Sequence, residues 1–264
     1  MYDTKYHKAS SVAKAVSLMG SADDGKLMSG GQTLLPTMKA HLAAPSDLVD
    51  VSGIAEMNGV NVNNGIVTIG AATTHAEVAG NAALREACAG VSDLAANIGD
   101  PAVRHVGTIG GSIANNDPAA DYPAALLALG ATIKTNARDI AAADFFVGLF
   151  ETALADDEVI VSVSFEAPDK ACYAKFPNPA SRYAMTGVFA ALTADGARIA
   201  VTGAGDDGVY RQADMEAALD GNWSADALSS VSVSADGMLS DMHGDATYRA
   251  NLVKVMAGRA VAGC

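Results

Sequence analysis

The sequence predicts an α+β protein in two unequal parts, and three observations predict it. Short runs that alternate apolar and polar residues, the strand pattern, are interspersed with segments of helical period. Two glycine pairs, Gly30-Gly31 and Gly110-Gly111, each stand just before a probable helix start. Pro168, Pro177 and Pro179 make residues 167–180 the best boundary, between a larger part, 1–168, and a smaller one, 171–264. A chain of 264 residues is long enough for two modest domains.

From the start, Ser10 and Ser11 can cap a helix with Val12, Val16 and Met19 on one face. Residues 26–28 read as a short strand that runs into Ser29-Gly30-Gly31-Gln32-Thr33-Leu34, with a helix expected over 34–41. Residues 48–51 read as a buried strand. Residues 60–69 read as a hairpin, because Asn64-Gly65 is the strongest short turn signal between alternating valines and isoleucine. Thr74 and Glu77 have capping-box spacing for a short helix, and His75 at that helix start is read as structural. Further helical pieces follow, until Gly99 and Pro101 break the pattern. Strands are expected over 131–134 and 159–165, the second one largely buried. Beyond the boundary a hairpin turns at Asp195-Gly196, then come helices over 213–219 and 248–256, the last with Tyr248, Leu252 and Val255 on its apolar side.

Composition excludes several classes of function. Half the residues are apolar, so a packed core is expected, yet no apolar run approaches the ~18 residues of a membrane span. Thirty acidic against 17 basic residues give a net charge of −13, which argues against nucleic acid and anionic membranes. Cys88, Cys172 and Cys264 are few and far apart, and are expected to form neither a disulfide framework nor an iron–sulfur site. No two of the five histidines are spaced i, i+4, so zinc is not expected. The first eight residues lack the pattern of a secretion signal, and a cytoplasmic location is expected.

The chemistry lies in the glycine pairs. Two adjacent residues without Cβ let backbone N–H groups approach a bulky polar ligand. In Thr108-Ile109-Gly110-Gly111-Ser112 the pair is surrounded by short hydrogen-bonding side chains, and Asp121 stands before an apolar helix. Glycines opening a helix suit phosphate, which takes the free N–H groups and the positive end of the helix dipole. Gly203-Ala204-Gly205-Asp206-Asp207-Gly208 matches the dinucleotide pattern by letter alone. Two aspartates in the loop would repel phosphate, and no helix start follows, so it reads as a turn.

Taken together, residues 29–36 (small-Gly-Gly-x-Thr-Leu-Leu-Pro) and Thr108-Ile109-Gly110-Gly111 with Pro118-x-x-Asp121 resemble the flavoprotein medium subunits of molybdenum hydroxylases, the xanthine dehydrogenase and aerobic carbon monoxide dehydrogenase family. Ile98, Val103 and Arg104, the segment Ser181-Arg182-Tyr183-Ala184, and Tyr248-Arg249 with Leu252 also fit, so the resemblance spans nearly the whole chain. Ser29 and His105 depart from the alanine and asparagine common there.

The resemblance implies a two-part FAD-binding domain of the PCMH/vanillyl-alcohol-oxidase-like type over 1–168 (subdomains about 1–57 and 58–168). A C-terminal α/β domain of the CO dehydrogenase flavoprotein type then covers 171–264. It implies FAD on this chain, with its pyrophosphate between the backbone N–H groups of residues 30–34 and 110–112. The implied cofactor contacts are Ser29, Gly30, Gly31, Gln32, Thr33 and Leu34 in the first loop, and Thr108, Ile109, Gly110, Gly111 and Ser112 in the second. Asp121 is implied to meet a cofactor hydroxyl, with Lys175 and Tyr183 near the isoalloxazine ring. It further implies an electron-transfer subunit without catalytic side chains or metal of its own. A large molybdenum-cofactor subunit and a small 2Fe–2S subunit would be its partners, in a dimer of heterotrimers. Two other readings stay open at this point: a free-standing FAD-dependent NAD(P)H oxidoreductase, and a non-enzymatic nucleotide-binding module.

Overall fold

The computed structural model describes residues 3–264. Strand β1 (Lys5–Lys8) leads to helix α1 (Val12–Met19), whose first turn is capped by the Ser11 hydroxyl accepting from the Lys14 N–H. Strand β2 (Gly25–Met28), helix α2 (Leu34–Lys39) and strand β3 (Asp47–Asp50) follow. The three strands form a parallel sheet in the order β1-β3-β2, with β3 buried in the middle. Parallel neighbours need crossovers, and the returning helices supply them. The first glycine pair therefore emerges at the carboxyl end of a parallel strand, the usual place for a ligand crevice.

Strands β4 (Val60–Asn63) and β5 (Ile66–Gly70) form the predicted hairpin, with Asn64 and Gly65 both in the left-handed region that a two-residue turn demands. The chain then makes six short helices: α3 (His75–Gly80), α4 (Ala82–Ala87), α5 (Ala89–Ala96), α6 (Pro101–Val106), α7 (Ile109–Asn115) and α8 (Tyr122–Ala128). Pro101 opens α6 where a break was predicted. Asp100 caps that helix, and a proline at the first helical position gives up only an N–H that has no intrahelical partner. Strands β6 (Thr132–Thr135) and β7 (Asp139–Ala141) return to the sheet. Helix α9 (Ala142–Phe145) and a small hairpin, β8 (Phe146–Gly148) with β9 (Glu151–Thr152), precede the central strand β10 (Ile160–Glu166). This second sheet is antiparallel, in the order β4-β5-β10-β6-β7.

The third sheet, antiparallel throughout, comprises β11 (Lys170–Pro177), β12 (Ala184–Thr193), β13 (Gly196–Thr202) and β14 (Tyr210–Arg211), followed by α10 (Ala213–Leu219) and α11 (Ala246–Gly263). Residues 167–180 are thus mostly strand. Pro177 is tolerated because β11 is an edge strand and the register shifts at its end. The Gly203 segment turns between β13 and β14 as its aspartates suggested. Strand β12 joins two cores: Phe189 and Ala191 face the main one, Val188 and Ala190 the one under α11.

Two expectations fail here. Leu252 is buried as expected, but Tyr248 and Val255 are exposed, and the buried face of α11 also carries Arg249, Val253, Met256, Ala257 and Ala260. Arg249 is inside because its guanidinium donates to the carbonyls of Met185 and Gly203 and pairs with Asp241. Cys172 on β11 and Cys264 after α11 form a disulfide, with Cα atoms 5.7 Å apart across 92 residues of sequence.

Candidate cofactor-binding site

The two glycine loops meet backbone to backbone. Gly31 takes φ +63°, which turns the chain out of β2, and Gly30 lies flat against the residues that precede the second loop. A Cβ at Gly30 would overlap the Val106 carbonyl oxygen and lie 2.8 Å from the Gly107 Cα. Gly110 is packed as tightly behind α7, where a Cβ would stand 2.6 Å from Ala71. Gly30 lets the loops meet, and Gly110 seats the second loop against Ala71, the residue after β5.

The second loop is laced to the segment before α3. The Gly107 carbonyl accepts from the His75 N–H, the Ile109 N–H donates to Thr73, and the Gly110 N–H donates to Ala71 at 2.8 Å. Thr108 caps α7, its hydroxyl accepting from the Gly111 N–H, and the Ser112 N–H donates to the Thr108 carbonyl. The N–H groups of residues 110–112, expected to face a phosphate, all have partners inside the fold in this structure. The first loop behaves differently. None of the N–H groups of residues 30–34 donates to another described residue, and the buried Ser29 Oγ has no partner either. Such groups need a partner from outside the fold, which water or an anion can supply.

Between the loops lies a cavity of ≈ 540 Å³. Ser29, Gly30, Gly31, Gln32, Thr33 and Leu34 line one wall; Thr108, Gly111 and Ser112 line the other, with Asp121 and Tyr183 towards one end. Ile109 and Gly110 are buried on the opposite face of α7 and do not reach it. Lys175 does not reach it either: it stands behind Asp121, its Nζ 3.0 Å from Oδ1. The Tyr173 hydroxyl donates to that same Oδ1 at 2.5 Å, leaving Oδ2 without a partner among the described residues. Burial pushes the Asp121 carboxyl up, against the pull of Lys175 and Tyr173. Tyr173 has room because Gly187, which pairs with Lys175 on β12, carries no Cβ; one there would collide with the Tyr173 hydroxyl.

Sequence reasoning missed Tyr173 and set His75 aside. Tyr173 could have been found as the i−2 neighbour of Lys175, on the same side of a strand. His75 lines the cavity 3.3 Å from the Tyr122 hydroxyl, and burial, helped by Arg104, pushes it down to about 4, so it is neutral at pH 7. Tyr183 is 55% exposed and stands at the cavity with no aromatic partner among the described residues.

Unpaired N–H groups at a parallel strand end, a facing capped helix and a buried carboxylate define a protein that holds a nucleotide cofactor. Residues 2–167 match the family model described as the FAD binding domain in molybdopterin dehydrogenase, and the chain belongs to that family. It is 32% identical to the nicotine 6-hydroxylase medium subunit of Paenarthrobacter nicotinovorans over 97% of this chain and 95% of that one. It is 30% identical to the carbon monoxide dehydrogenase medium chain of Afipia carboxidovorans, over 97% and 94%. A chain of the carbon monoxide dehydrogenase structure from Hydrogenophaga pseudoflava superposes with a TM-score of 0.87 at 30% identity, covering 98% of this chain and 96% of that one. A chain of quinoline 2-oxidoreductase from Pseudomonas putida 86 gives 0.88 at 26% identity, over 98% and 96%. The chain is an FAD-binding medium subunit of the molybdenum hydroxylase family, an oxidoreductase chain of α+β fold, and FAD is its cofactor. No described helix is long and apolar enough to cross a membrane.

Proposed function

We propose that this chain relays electrons inside a larger enzyme, from the 2Fe–2S clusters of a small partner subunit to an external acceptor, while a large partner subunit carries the molybdenum cofactor and the substrate. The observation that carries the reading is the row of unpaired N–H groups over residues 30–34, facing a second loop across a cavity in a chain of this family. When bound, FAD supplies the redox chemistry.

The chain's own residues bind and orient. The N–H groups of residues 30–34 and the Ser29 hydroxyl hold the pyrophosphate, with Thr108, Gly111 and Ser112 closing the opposite wall. Asp121, its Oδ1 engaged by Lys175 and Tyr173, accepts a cofactor hydroxyl on Oδ2. Tyr183, exposed at the cavity, would offer its ring to the flavin, and Lys175 would act on it only through its pair with Asp121. His75 stays neutral, so the cavity floor keeps the same charge across physiological pH. In this reading residues 1–168 and 171–264 are two domains that close on the flavin, and the assembly is a cytoplasmic dimer of heterotrimers. The names of relatives as medium chains and complex subunits support the partners.

Co-expression with the chains encoded beside it tests the assembly. The expected result is one complex containing FAD, iron and molybdenum. Isolation of this chain alone, with full acceptor activity from a nicotinamide donor, overturns the relay reading.

A further inference from the structure

A second cavity, of ≈ 420 Å³, lies on the other side of the wall that closes the flavin cavity. Neighbouring residues divide between the two. Ile98 and Val103 face the first, while Asn97, Gly99 and Arg104 face the second; Asp121 faces the first, and its partner Lys175 the second. On the loop after β11, Tyr183 faces the first cavity and Arg182 the second.

Three of the nine residues that line this second cavity, Arg104, Lys175 and Arg182, are cations, and none is a carboxylate. In a chain with 17 basic residues in 264, nine positions drawn at random would hold fewer than one. The sign also opposes the chain's net charge of −13. Only Lys175 has a carboxylate partner, and that one lies in the wall; it also donates to the Asn97 carbonyl at 2.7 Å. Arg104 is held by the carbonyls of Ile98, at 3.0 Å, and Gly99, at 3.3 Å, through Nη1 alone, so no acid offsets its charge. The Arg182 side chain has neither an acid nor a hydrogen-bond partner among the described residues, and its backbone takes φ +63°, unusual for a residue with a Cβ. The turn that imposes this is well built. Asn178 is buried, its N–H donates to the Tyr183 carbonyl, its carbonyl accepts from the Arg182 N–H, and its Oδ1 accepts from the N–H groups of Ala180 and Ser181.

Two guanidinium groups without counter-charges line one cavity, and their forked donors match phosphate oxygens. We propose that this cavity binds the phosphate group of a second ligand, separate from the pyrophosphate of FAD and next to the Asp121–Lys175 wall. The proposal extends the proposed function, since it places an anionic small molecule beside the flavin.

The experiment titrates the full-length, FAD-loaded chain at low ionic strength with inorganic phosphate, pyrophosphate and ADP, by calorimetry. FAD content, read from its visible absorption, is checked in each variant. Arg182→Asn removes the charge but keeps a residue that tolerates left-handed backbone, and Arg104→Gln removes the second charge. Pyrophosphate binding to the unmodified chain is expected, weakened at least about tenfold in each variant, and restored towards the original value in Arg182→Lys. Tighter binding of ADP than of pyrophosphate would identify a nucleotide as the source of the phosphate, and equal binding a free anion; both support the site. No binding, binding that the variants do not change, or loss of FAD from Arg182→Asn would overturn it. If the chain takes up no FAD at all, the proposed function fails instead, and the same variants titrated without FAD still read this cavity.

Discussion

Replacing Gly30 by alanine tests whether backbone contact between the two loops forms the cofactor site. The new Cβ overlaps the Val106 carbonyl oxygen, and the Gly107 Cα is 2.8 Å away. Both neighbours are backbone atoms, so no side chain can swing aside, and the loops must move apart by several tenths of an ångström. Overpacking of this kind costs about 1–3 kcal/mol. Part of that cost falls on the free protein as lost stability. The part that separates the loops falls on FAD, whose pyrophosphate needs the N–H groups of residues 30–34 in place. A loss of about 1.4 kcal/mol in binding weakens affinity about tenfold. The assay is FAD affinity by flavin fluorescence, with thermal unfolding as a check on the fold. Gly258→Ala is the control: that position in α11 has no neighbour within 4 Å of a new Cβ, and alanine is the better helix former there. An FAD affinity within twofold of the unmodified chain in a folded Gly30→Ala protein would refute the reasoning.

Three further outcomes follow from the buried charges. Lys175→Met leaves the Asp121 carboxylate buried with only Tyr173 to answer it, and a loss of about 3–5 kcal/mol in urea unfolding is expected; an unchanged midpoint would show that the pair adds nothing to the fold. His75 is held neutral down to about 4 against an ordinary value of 6.5, so below pH 6.5 the unfolded chain binds a proton that the folded chain refuses. Stability from this group is present above pH 6.5 and falls by up to about 3 kcal/mol towards pH 4, and His75→Gln should flatten that slope. Glu158, hydrogen-bonded by Arg138, is held at about 2 against 4.5, so its contribution is complete above pH 4.5 and lost as pH falls towards 2. Arg138→Ala should reduce that lower-pH slope and leave the histidine window unchanged, as read from urea midpoints across pH.

The parts legible in the sequence were those whose cause is local. Asn64-Gly65 fixes its hairpin because both residues accept the left-handed backbone, and α10 was found to the residue, over Ala213–Leu219. The glycine pairs were legible as places of close backbone approach, and Gly30 against Val106 and Gly110 against Ala71 are such places. Which of their N–H groups are free was not, because the partners of Ile109 and Gly110 are Thr73 and Ala71, more than thirty residues earlier. Lys175 could be placed near the site but not on its side of Asp121, since that pairing depends on tertiary packing of β11 against the residue before α8. The face of α11 was misread because Arg249 counts as polar in any pattern, yet two carbonyls and an aspartate accept from its Nη atoms inside the fold. The disulfide between Cys172 and Cys264 joins distant segments, and three scattered cysteines carry no sign of it.

The central claim is that the unpaired N–H groups of the first loop, facing the second, hold FAD on this chain. Its most direct test is the flavin content of the purified chain after reconstitution, set beside that of Gly30→Ala. The account predicts equimolar, non-covalent FAD in the unmodified chain and a clear deficit in the variant. A folded, unmodified chain that stays colourless in excess FAD would contradict it.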